Sequence, residues 1–126
     1  FPVINISFAE GLITSKEDIL DKWQETLQYS EEALEVSCDS GIYDRKCFSK
    51  LIREIYKKYN KKVVILIDEY DKPILDSIEN KDVAKSIRDE LKNFYSVIKG
   101  SDEYIKFAFI TGVSKFSKVS LFSGLN

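Results

Sequence analysis

The segment VVILIDEYDKP, residues 63–73, drives five consecutive aliphatic residues into Asp68, Glu69 and Asp71. A strand with one face in water alternates apolar and polar residues, whereas an unbroken run of β-branched and aliphatic side chains marks a strand sheltered on both faces. This run therefore predicts a central strand of a mostly parallel sheet with helices on either side, and it limits the chain to an α/β architecture.

The rest of the sequence supplies the other layers. PVINISF, residues 2–8, is a second strand-forming run, with Val3, Ile4 and Ile6, and a glycine turn follows at Gly11. Thr14 and Glu17 have capping-box spacing, and Ile19, Leu20, Trp23, Leu27, Ala33 and Leu34 recur at helical intervals to about Val36. After the break CDSGIYD, Asp44 is a cap for a second helix whose stripe is Cys47, Phe48, Leu51, Ile52, Ile55, Tyr56 and Tyr59, ending at Asn60. Asn80 or Asp82 opens a third helix with Val83, Ile87, Leu91, Phe94 and Ile98 on one face, closed by Gly100. IKFAFITG, residues 105–112, is the third strand. The order β-α-α-β-α-β, with long crossovers, predicts three parallel strands wound in the right-handed sense. The tail VSKFSKVSLFSGLN gives no clear signal of form.

Composition narrows the function classes. A length of 126 residues with 44% hydrophobic and 32% charged residues suits one globular domain. The formal charge of -2, with acids and bases interspersed, offers no basic field for nucleic acid or a membrane surface. No apolar run reaches the length of a membrane helix and no signal-peptide pattern opens the chain, so the expected location is cytoplasmic. Two cysteines, Cys38 and Cys47, in a chain able to bury its own core then predict reduced thiols. The absence of histidine excludes His-based catalysis and most zinc sites. The chain opens directly in a strand-forming run and stops at FSGLN, which predicts that residues 1–126 are one domain cut from a larger protein.

Ligands of open parallel sheets bind beyond the carboxyl ends of the strands, where Asp68 and Glu69 are expected. Successive residues leaving a strand point to opposite sides. One acid can thus face Mg²⁺ and its waters while the next faces a reacting water, which is the logic of a Walker B segment: Asp68 holds the metal and Glu69 orients or deprotonates the water. The plainer alternative is that these acids cap. Asp71, followed by Lys72 and Pro73, reads first as a helix start, and Tyr70 as packing or surface. The polar exit of the third strand, Thr111-Gly112-Val113-Ser114-Lys115, carries a hydroxyl to the neighbouring strand end, where it would position water or sense a phosphate, or simply turn the chain. Lys115 and Lys118 could meet phosphate, but the first expectation is that they are solvated.

The combination of VVILIDEYDKPILD with FAFITGVSKFSKVSLFSGLN, together with the PVINISF opening and the helices between, resembles the bacterial AAA-ATPase-like domain family. Its members are large uncharacterised proteins that often carry a PD-(D/E)XK nuclease-like domain after the ATPase portion. The resemblance implies an ASCE-type, AAA-like P-loop NTPase core with ATP and Mg²⁺ as cofactors. Asp68 and Glu69 would be the Walker B acids, and Thr111 would lie at the sensor position, acting in both catalysis and nucleotide contact. The family's phosphate-gripping GxxxxGK[ST] loop lies upstream of the PVINISF strand, and none of Gly11, Gly41, Gly100, Gly112 and Gly124 forms one. This stretch alone is accordingly expected to bind no ATP tightly and to be inactive. The strand 105–111, beginning at Ile105, would be left with an open edge prone to self-association or to covering by residues 113–126. Nucleic acid would be met only through a fused domain. Two other classes stay open: a Mg²⁺-dependent nuclease site built from Asp68, Glu69 and Asp71 with Lys72 or Lys115 assisting, and a non-catalytic interaction module on an ATPase-like scaffold.

Overall fold

The computed structural model describes residues 1–112. The expectations for residues 113–126, including Lys115 and Lys118, fall outside the described residues. Along the chain run β1 (Val3–Ser7), α1 (Lys16–Leu34), α2 (Arg45–Tyr59), β2 (Val63–Asp68), α3 (Lys72–Leu75), α4 (Lys81–Gly100), a 3-10 turn (Asp102–Tyr104) and β3 (Ile105–Ile110). The strands form one parallel sheet in the order β1-β2-β3, with the acid-bearing strand central as its composition predicts.

Capping explains the helix limits. Ser15, one residue later than expected, caps α1 by accepting the Asp18 amide, and the Asp18 carboxylate reaches back to the Thr14 amide at 2.9 Å. The Thr14–Glu17 pair is thus replaced by a box shifted one position along, because Asp18 is short enough to close on the turn itself. Those hydrogen bonds hold the Asp18 carboxyl below its ordinary pKa. Asp44 and Asn80 cap α2 and α4 through their side chains, and Asn60 ends α2 in a left-handed conformation.

α1, α2 and α4 pack on one another and on a single face of the sheet. Ile4, Ile6, Ile65 and Ile67 lie in register on that face and are fully or almost fully buried. Trp23 sits at the middle of the helical layer. Its indole stacks on Phe94 at 3.9 Å between centroids and meets Phe8 edge-on at 6.1 Å, geometries that suit the quadrupoles of the rings.

Among the described residues α1, α2 and α4 flank the sheet on one face. On the opposite face Val3, Phe107 and Phe109 are exposed, Phe109 by 60%. Among the described residues no helix covers them. Val64 is nevertheless only 7% exposed, because Val3 and Phe107 flank it in the adjacent strands. An unbroken apolar strand can therefore reflect lateral shelter by strand neighbours as well as a second helical layer.

Cys38 and Cys47 are joined in a disulfide, with their Cα atoms 5.1 Å apart. This corrects the expectation of reduced thiols. The turn between α1 and α2, with Asp39 and Gly41 at positive φ, folds back far enough to bring the two sulfurs together. Among the described residues no helix is long and apolar enough to cross a membrane.

Candidate functional site

The three strands end together. Ser7 pairs with Asp68, the Phe8 amide donates to the Asp68 carbonyl at 3.1 Å, and the Thr111 amide donates to the Ile67 carbonyl at 2.9 Å. Asp68, Glu69 and Thr111 thus lie at one rim of the sheet, its carboxyl end.

Strand geometry stops at Asp68. Glu69 adopts φ 52, a left-handed conformation that costs a residue with a Cβ about 1–2 kcal/mol. Strand alternation therefore does not carry through to Glu69, which follows Asp68 in a turn. Thr111 holds it in place: its hydroxyl accepts the Glu69 amide at 3.1 Å and donates to Asp68 Oδ1 at 2.6 Å, while its carbonyl accepts the Tyr70 amide at 3.0 Å. A single residue of β3's exit therefore engages three consecutive residues of β2's exit. Asp68 is exposed, and its other oxygen, Oδ2, takes no hydrogen bond from a described residue.

The neighbouring residues divide otherwise than the sequence suggests. Asp71 occupies the N-cap position of α3, yet its side chain makes no capping hydrogen bond, and the residue is completely buried. Tyr70 is buried, so of packing and surface it takes the former. Burial, reinforced by the nearby Asp71, pushes its phenol up to about 12. Tyr95 of α4 is likewise raised well above the ordinary value by burial, with Tyr70 and Asp71 adding to it. Lys72 is engaged in a latch. Its ammonium bonds Asp76 at 2.7 Å and also the Gly11 carbonyl, while the Ser77 hydroxyl donates to the Ile13 carbonyl at 2.9 Å, so the loop after β1 is tied to the segment after β2.

Gly112 is a site feature that sequence reasoning passed over. A Cβ there would fall inside the van der Waals surface of the Tyr70 ring and lie 3.3 Å from Asp71 Oδ1. The only available signal was the glycine directly after the hydroxyl in FITG.

An exposed carboxylate with one unengaged oxygen, next to a second acid and a hydroxyl, suits a hard cation that takes its remaining ligands from water and phosphate oxygens. A cage of three acids is a different matter. Asp71 is buried while Asp68 is exposed, and among the described residues no group of three or more Asp, Glu, Cys or His converges as a metal site.

Comparison with known proteins agrees with this geometry at the level of family. The chain is 50% identical over 125 residues to a protein of Azotobacter chroococcum mcd 1 described as "Uncharacterized protein in vnfD 5'region". The match covers 99% of this chain but 24% of that relative, so the chain spans about a quarter of the relative's length. No solved structure matches. The family of predicted AAA-ATPases matches residues 1–122, and the chain belongs to that AAA-ATPase-like family.

Proposed function

We propose that this chain supplies the metal-holding and water-orienting acids of an ATP-hydrolysing domain, with Asp68 and Glu69 as its Walker B pair. The observation that carries this reading is the Thr111 side chain, which bridges the Asp68 carboxylate and the Glu69 amide across two adjacent strand exits. Such a bridge fixes a carboxylate at the rim where parallel sheets bind ligands, and fixed dipoles act without reorganising when charge develops.

Asp68 is the residue that would hold Mg²⁺, directly or through water. The cation, when bound, would offset the charge on the phosphate oxygens of ATP. Glu69 orients or deprotonates the attacking water. Thr111 sets the position of both acids. These 126 residues hold no GxxxxGK[ST] loop and span about a quarter of the relative's length, so the reading concerns the protein in full length, with this chain as one part of the site.

The test uses the full-length protein. Glu69→Gln should leave ATP binding largely in place and lower hydrolysis at least about a hundredfold, as expected for loss of a positioned base. Asp68→Asn should weaken Mg²⁺-dependent binding and turnover together. Parental turnover in Glu69→Gln would remove the Walker B assignment, and ATP binding without turnover in the parent would favour an interaction module instead.

A further inference from the structure

Asp71 is the one carboxylate near the rim with no part in the proposed chemistry, and it is also the most buried. At 0% exposure an acid carries a large desolvation cost, which proteins sustain only where the group is held by specific partners. Helix capping does not account for it, because the side chain bonds no amide of α3. A Cβ added at Gly112 would fall inside the Tyr70 ring and come 3.3 Å from Asp71 Oδ1, so the ring, backed by the carboxylate, leaves no room there for a residue larger than glycine without displacement. Gly112 adjoins Thr111, which in turn engages Asp68, Glu69 and Tyr70. Tyr95, buried on α4, is near both Tyr70 and Asp71.

We propose that Asp71 is a positioning residue. Its buried carboxylate, together with the Tyr70 ring, seats Gly112 and thereby sets where Thr111 holds the Asp68–Glu69 turn. The left-handed conformation of Glu69 makes such a seat necessary, since that turn is strained and relaxes once its hydrogen bonds to Thr111 are loosened. Asp71 acts through Thr111 and touches neither nucleotide nor water. The effect on turnover rests on the reading of Asp68 and Glu69 given above, whereas the effect on the turn itself does not.

Two variants of the full-length protein test this, Asp71→Asn and Gly112→Ala. The first changes the carboxylate with little change of shape, and the second drives a methyl group into the Tyr70 ring and up to the carboxylate while leaving the carboxylate intact. Hydrogen exchange should quicken at the Glu69 and Tyr70 amides in both variants and stay parental in α1 and α2. ATP turnover should fall about tenfold to a hundredfold, the cost of a small misplacement, with KM changed less than about twofold. Combining Asp71→Asn with Thr111→Val should lower turnover little further than Thr111→Val alone, because the two act in series. Unchanged exchange at Glu69 and Tyr70 in both variants would overturn the proposal. So would loss of protection throughout the helices in both, which would mark a merely structural role. If the parent itself hydrolyses no ATP, the Walker B reading fails, and the exchange result alone decides the role of Asp71.

Discussion

The Thr111 hydroxyl reaches Asp68 Oδ1 across 2.6 Å, joining the exit of an edge strand to that of the central one. Because the same oxygen accepts the Glu69 amide, one side chain both orients a carboxylate and secures a left-handed turn.

Thr111→Val keeps the shape of the side chain and removes the hydroxyl. The Glu69 amide then lacks its acceptor, and the fold should lose about 1 kcal/mol, measurable by urea denaturation. In the full-length protein turnover should fall more than nucleotide affinity, and Thr111→Ser should restore most of it. Turnover in Thr111→Val equal to that of the parent would take Thr111 out of the site.

Alkaline stability should report on the buried phenols. Tyr70 ionises at about 12 in the fold, above the ordinary 10, so between those values the unfolded chain releases a proton that the folded chain retains. Stability is unaffected by this group below pH 10 and declines as pH rises toward 12. Tyr95 acts in the same direction. Replacing Tyr70 with Phe should flatten that decline in a series of denaturant midpoints against pH, and an equally steep slope in the variant would contradict the assignment.

The Cys38–Cys47 bridge closes a short loop between α1 and α2. Constraining such a loop in the unfolded chain contributes about 2–3 kcal/mol. Reduction, or the paired change Cys38→Ser with Cys47→Ser, should lower the denaturation midpoint accordingly. Full alkylation of both thiols in native protein without reductant would show that the bridge does not form.

Self-association through β3 is the outcome we expect for residues 1–126 expressed alone. Among the described residues the outer edge of this strand is unpaired, and Phe107 and Phe109 project from it into solvent. Light scattering over a concentration series should show growing mass for the parent and a reduced tendency for Phe107→Lys. A parent that stays monomeric throughout would remove this expectation.

Much of the architecture was legible because it depends on local pattern. The apolar run at residues 63–67 located the central strand, Asp44 and Asn80 began their helices as expected, and Asn60 ended α2. The lateral shelter of Val64 was not legible, since it comes from Val3 and Phe107, neighbours that only register supplies. The disulfide was missed for a related reason: the approach of Cys38 to Cys47 is made by the path of a turn, which composition does not encode. At the site, Asp68, Glu69 and Thr111 could be picked out as residues ending adjacent strands. The burial of Asp71 close to Tyr70 and Gly112 could not, because a cap and a buried carboxylate have the same sequence signature.

The parallel register has a kinetic consequence. Val3 meets Val64 and Val63 meets Ile105 only after whole helices have been traversed, and among the described residues no hairpin joins any two strands. Closing such distant pairings is slow unless something else first draws the ends together. The helical layer around Trp23 and Phe94 can do so, which would make the rim bearing Asp68 and Thr111 one of the last parts to form. We therefore expect Phe94→Leu to slow refolding, and Thr111→Val to leave the refolding rate near parental while speeding unfolding, as read from Trp23 fluorescence. Slower refolding in Thr111→Val would reverse that order.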